Sequence, residues 1–149
     1  MTGTARTTIV AALLAATVLA GCGGPGPDEV TAEYLRCLAV HDVEGLRKVV
    51  SESVLPPALA QADARRAHVF EQSLRRGIPA EETREFYSRT MVDLSHLPMR
   101  VERPGDIAVV YPQGYADVVY PDNETLRQDF DGKRAFRLVR ENGRWKVWP

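Results

Sequence analysis

Apolar and polar positions follow two different periods along this chain, and the period changes once. Over residues 28–97 apolar side chains recur with the 3.6-residue spacing of helices; from Met99 the spacing falls to the two residues of strands. Val30, Tyr34, Cys37, Leu38 and His41 share one face of a first helix that begins near Glu29, with Asp28 as its expected N-cap. His41-Asp42 breaks that pattern. Asp42 then caps a short second helix over residues 43–50, which Gly45 weakens slightly. After a turn over residues 51–57, a third helix is predicted over residues 58–76. Leu59, Ala62, Val69, Phe70, Ser73 and Leu74 form its inner stripe, and Gly77 is its C-cap. Pro79 and Glu81-Glu82 open a fourth helical stretch, with Phe86, Thr90 and Met91 inward, ended by residues 96–98.

The strand-period half divides at its turn residues. Residues 99–103 predict a strand closed by Pro104-Gly105, and residues 106–111 and 115–120 predict two more joined by Pro112-Gln113-Gly114. Residues 124–131 read as either a loop or an irregular strand. Residues 133–140 alternate, with Phe136 and Leu138 on one face and Ala135 and Val139 on the other. Asn142-Gly143 between apolar runs is the strongest short hairpin signal in a sequence, and residues 144–148 supply the returning strand with Trp145 and Val147 on one face. Helices first and an antiparallel meander second predict an α+β fold, with helices packed on one face of a curved sheet.

The first 27 residues belong to neither pattern. Residues 9–20 are Ile, Val, Ala and Leu broken only by Thr17, preceded by Arg6 as the sole charge. Twelve residues are too few to span a bilayer core, which takes about 20; a basic start, a short apolar run and small residues describe a secretory signal peptide. Leu19-Ala20-Gly21-Cys22 follows, and this resembles the lipobox of bacterial lipoprotein precursors. The resemblance implies cleavage between Gly21 and Cys22 and a diacylglyceryl group on the Cys22 thiol. Two acyl chains give stable attachment where one gives only marginal binding. Residues 1–21 are then the signal peptide and residues 22–27 the lipidated cysteine with a Gly/Pro spacer too irregular to pack.

Composition bounds the remainder. Removing residues 1–21 takes away Arg6 and no acid, so 19 basic residues become 18 against 20 acids, a formal net of −2. A nucleic-acid partner calls for a clustered basic excess and is not expected. The 128 residues left are the usual size of one domain. With Cys22 taken by lipid, Cys37 has no disulfide partner, and on an apolar helical face it reads as a small buried hydrophobe.

Three features then resemble the NTF2-like superfamily, also described as SnoaL-like or cystatin-like α+β. They are the His41-Asp42 break followed by Val43-Glu44-Gly45-Leu46, the helices-then-strands order, and the closing stretch from Phe136-Arg137-Leu138 through Asn142-Gly143 to Trp145-Lys146-Val147. The resemblance spans residues 28–149 and implies a cone whose sheet and first helix enclose a pocket. Some members are isomerases, hydratases or cyclases using a pocket Asp or His; many are non-catalytic binding or assembly domains, so fold alone does not decide function. A helical insertion over residues 79–97 departs from the simple pattern, either covering the pocket mouth or extending the core.

Candidate chemistry is sparse. His41, His68 and His96 form no short-spaced pair, so no metal site or cofactor is expected. They read as capping or surface histidines, or as one general base near Asp93 or Asp117. No nucleophile elbow, phosphate loop or dinucleotide fingerprint occurs. Tyr34, Cys37, Tyr87, Tyr111, Tyr115 and Tyr120 are the candidate pocket residues, since Tyr offers a flat apolar body with a polar tip; the alternative is ordinary strand tyrosines. Arg65, Arg66, Arg75 and Arg76 form the wet side of the third helix; they read as contacts for anionic lipid headgroups or as a solvated face, the second favoured because Glu71, Glu81 and Glu82 cancel the field. The sequence therefore predicts an extracytoplasmic lipoprotein anchored to the cell membrane through Cys22. Its non-catalytic domain binds an apolar small ligand or an envelope protein; the alternative is a small pocket enzyme of isomerase or hydratase type.

Overall fold

The computed structural model describes residues 24–148; the expected signal peptide and lipobox, with Cys22, lie outside them. Four helices come first: α1 (Pro27–Ala39), α2 (Val43–Val49), α3 (Leu55–Arg75) and α4 (Ala80–Ser88). Six strands follow: β1 (Met91–Asp93), β2 (Met99–Glu102), β3 (Ile107–Val119), β4 (Thr125–Asp131), β5 (Phe136–Glu141) and β6 (Arg144–Trp148). The α+β class and the curved antiparallel sheet predicted from the sequence are the observed ones.

Local chemistry sets the helix ends. α1 begins two residues before the expected start. Gly26, not Asp28, is its N-cap, and the Glu29 carboxylate reaches back to accept the Gly26 N–H at 2.8 Å. It ends in a Schellman turn: His41 takes a left-handed φ of 57°, and the Asp42 N–H donates to the Cys37 carbonyl at 2.9 Å. Asp42 then caps α2 by accepting the Gly45 N–H at 2.8 Å. α3 starts at Leu55 rather than Ala58, because Pro56 and Pro57 suit a first turn whose N–H groups have no helical partner. Its inner stripe fades along its length: Leu59 is buried, Val69 and Phe70 half-buried, and Leu74 57% exposed. α3 packs chiefly on α2 and α4. α4 ends at Ser88, well before residue 96. Met91, expected on its inner face, instead opens β1 and is 66% exposed.

β3 is the spine of the sheet. The two strands expected around Pro112-Gln113-Gly114 are one strand of 13 residues bent at that tripeptide. Its first half pairs with β2 on one edge and β5 on the other; its second half pairs with β1 and β4. Between β1 and β2 the chain stays bonded to the bend, with the Gln113 N–H on the Pro98 carbonyl at 3.0 Å and the Tyr115 N–H on the His96 carbonyl at 3.1 Å. Those bonds, with a φ of +118° at Gly114, let the strand bend without ending. Residues 124–131, read as a loop or irregular strand, supply the regular β4, and β5 begins at Phe136. β6 returns through Asn142 and Gly143, both at positive φ as a two-residue hairpin requires. Its outer edge is met by the chain after α2, where the Ser51 N–H donates to the Val147 carbonyl at 2.8 Å.

The packed core occupies one half of this frame. Val30 of α1 meets Ala108, Val110, Leu138, Trp145 and Val147 on the first half of the sheet. A second cluster, Cys37, Val43, Leu46, Val50 and Leu59, ties α1, α2 and α3 together. The concave face of the second half, built on Ala116 and Val118, belongs to neither cluster.

Candidate functional site

A cavity of about 660 Å³ fills the space between that second half-sheet and the helices, well inside the range of small-molecule sites. Its position follows from β3. Even-numbered residues face inward along the whole strand, so Ala116 and Val118 form the floor just as Ala108 and Val110 form the core. Val92 of β1 and Phe130 of β4 extend the floor, and Leu38, Leu46 and Ala62 belong to the helical wall. Four polar residues line the cavity: Gln61 and Arg65 of α3, Gln128 of β4, and Arg134 of the loop between β4 and β5. All four are exposed, so they stand at the opening while the walls are apolar. The lining contains no Asp, Glu or His.

Tyr34 of α1 lines the cavity, and its ring meets Phe136 edge-on at 5.9 Å. Burial pushes its hydroxyl pKa up, while the charges of Arg65 and Arg134 pull it back down. Tyr34, Arg65 and Arg134 all line the same cavity. The other candidate pocket residues lie elsewhere. Cys37 is buried in the helical cluster; desolvation, then the charges of Glu33 and Asp42, push its thiol up to about 12. Tyr111 and Tyr115 hold odd positions of β3 and so face the convex side, where Arg100 lies 4.1 Å above the first ring and Arg127 3.8 Å above the second. Tyr120 and Tyr87 join an aromatic group with Phe86 and His41. Phe86 stacks on Tyr120 at 5.5 Å and Tyr87 meets His41 edge-on at 4.7 Å, which pins α4 to the end of β3 and to the α1–α2 corner.

The histidines and carboxylates considered as bases also lie off the cavity. His96 is exposed and stacks on Tyr115 at 4.8 Å on the convex side. Asp117 beside it accepts two hydrogen bonds from Arg127, at 2.8 and 2.7 Å, which hold its carboxyl below the usual range. Asp93 is held low by the Ser95 N–H. His41 is shifted down by burial, then by Arg65 and Arg66. Among the described residues no group of three His, Cys, Asp or Glu side chains is arranged to hold a metal ion, and no helix is long and apolar enough to cross a membrane.

Gln128 and Arg134 were not among the candidates from sequence, and Arg65 was weighed there only as a helix-face contact for lipid headgroups, not as a cavity residue. Gln128 carried a usable signal: Leu126, Gln128 and Phe130 alternate with Thr125, Arg127 and Asp129, and reading residues 124–131 as a strand puts Gln128 and Phe130 on one face. Arg134 carried none, because a loop has no period. No family model matches this chain, and neither a curated protein nor a solved structure does.

Proposed function

We propose that this chain is the precursor of a bacterial lipoprotein of the NTF2-like type, whose domain binds an apolar small ligand. The observation that carries the binding role is the cavity of about 660 Å³ with apolar walls and a polar rim. The order of four helices followed by a curled antiparallel sheet agrees with the NTF2-like cone. The anchor rests on the sequence alone: the short apolar run, then Leu19-Ala20-Gly21-Cys22. Export, cleavage before Cys22 and diacylation would hold the domain at the extracytoplasmic face of the cell membrane, with the Gly/Pro spacer keeping it near the lipid. An enzyme of isomerase or hydratase type needs its acid or base within hydrogen-bond reach of the substrate. A cavity lining without Asp, Glu or His supports binding over that alternative.

Fractionation of a bacterium expressing the full chain tests the anchor. Wild type is expected in the membrane fraction and Cys22→Ser released or unprocessed; a cleaved Cys22→Ser protein retained normally at the membrane would refute lipidation. Native mass spectrometry of the gently purified protein tests binding. A retained mass of a few hundred daltons is expected, and a bare protein mass that stays bare on addition of apolar compounds would turn attention to an envelope protein partner.

A further inference from the structure

We infer that the cavity takes a single-chain amphipathic anion, its apolar tail along the sheet floor and its carboxylate head held at the opening by Arg65 and Arg134. The inference rests on reading the cavity as a ligand site and adds the chemical class of its occupant.

These two arginines lack the acidic partners that neighbouring arginines have. Arg66, next to Arg65, pairs with Asp63 at 3.2 Å, and Arg75 pairs with Glu71 at 2.6 Å. Among the described residues neither Arg65 nor Arg134 pairs with an acid. The sequence explains both cases. The helical neighbours of Arg65 at three and four residues are Gln61, Ala62, His68 and Val69, none of them acidic. The acid nearest Arg134 in the chain is Asp131, and its carboxylate accepts the backbone N–H groups of Lys133 at 2.9 Å and Arg134 at 3.4 Å. Turn formation thus occupies the carboxylate that would otherwise attract the Arg134 side chain.

Two cations from separate elements therefore face one opening with no acid in the lining. An anion bound there would supply the partner that both cations lack, and a planar carboxylate suits the guanidinium fork. Tyr34 stays protonated at neutral pH and lines the same cavity as a further donor, as do the Gln61 and Gln128 amides. Behind that rim Val92, Ala116, Val118 and Phe130 offer only apolar surface. Polar groups gathered at one end and an apolar chamber behind fit a molecule with its charge at one end.

The test uses the full-length protein in nanodiscs of zwitterionic phosphatidylcholine, with empty discs as the partition control. Binding of decanoate and of decan-1-ol, equal in chain length and different in charge, is measured by calorimetry. Wild type is expected to bind decanoate at least tenfold more tightly than decanol. The Arg65→Gln/Arg134→Gln double variant is expected to lose that preference while still binding decanol, and Arg65→Lys/Arg134→Lys to keep much of it. Equal affinity for both compounds, or a preference unchanged in the Gln double variant, would overturn the anion assignment and leave the apolar cavity standing. Binding of neither compound by wild type would overturn both readings. Decanoate binding is expected to be undiminished in discs containing phosphatidylglycerol; competition by that lipid would overturn the single-chain carboxylate in favour of a two-chain phospholipid.

Discussion

Gly114 lies so close to the His96 carbonyl oxygen that a Cβ on Gly114 would overlap it, and its φ of +118° is one that side chains rarely adopt. The contact lets β3 bend while the chain between β1 and β2 stays hydrogen-bonded to it. Gly114→Ala is expected to destabilise the fold by about 3 kcal/mol, combining left-sided backbone strain with a clash against backbone that cannot swing away. Urea unfolding measures it; a loss below about 1 kcal/mol would show that the bend tolerates a side chain.

Gly45 sets helix propensity against packing. In an exposed helix Gly→Ala gains about 1 kcal/mol. Here an added Cβ would overlap both the Cys37 sulfur and the Asp42 carboxylate that caps α2. Gly45→Ala is therefore expected to lower stability by about 1–3 kcal/mol. Adding Cys37→Ala should recover part of that loss in a double-mutant cycle, because it opens the space the new methyl needs.

Cys37 is expected to be chemically silent in the folded protein. Its thiol is 2% exposed and its pKa is pushed up to about 12, so the reactive thiolate is scarce at neutral pH. Labelling by a thiol reagent in the Cys22→Ser background should be slow in buffer and fast in denaturant. Rapid labelling of the native protein would mean that the α1–α2–α3 cluster opens readily.

His41 predicts a pH dependence with a definite sign. Its folded pKa lies below the unfolded value of about 6.5, so the unfolded chain takes up the proton more readily. Its contribution is fully present above about pH 7 and is lost as the pH falls through about 6.5 toward the folded pKa. Tyr87 meets the ring edge-on, and the charges of Arg65 and Arg66 disfavour an added positive charge. His41→Asn accepts the left-handed backbone and should flatten the fall in melting temperature between about pH 7 and pH 5.5. An equal fall in wild type and variant would assign the acid sensitivity to other groups.

What the sequence made legible was short-range. Asp42 as a cap, Asn142-Gly143 as a turn and Trp145 with Val147 as an inner face all depend on neighbours within a few residues, and all are observed; Gly77 ends α3 as the left-handed residue one place after its C-cap, Arg76. Pro112-Gln113-Gly114 misled because proline and glycine mark turns in general. Only the distant carbonyls of His96 and Pro98 make the tripeptide a bend within one strand. β4 was ambiguous because one edge and much of its surface meet water, which leaves little apolar alternation to read. The cavity rim was illegible for a related reason: Arg65 looks like any arginine on a wet helix face until the loop carrying Arg134 lies opposite it.

The bend in β3 also divides labour along a single strand. Residues before it are held in the packed core, where a change of one methylene is felt throughout the fold. Residues after it border open space. Substitutions at Val92, Ala116 or Phe130 can reshape the chamber without disturbing Leu138 or Val147. The walls of the chamber can therefore vary while the scaffold stays the same, through changes that leave foldability nearly untouched.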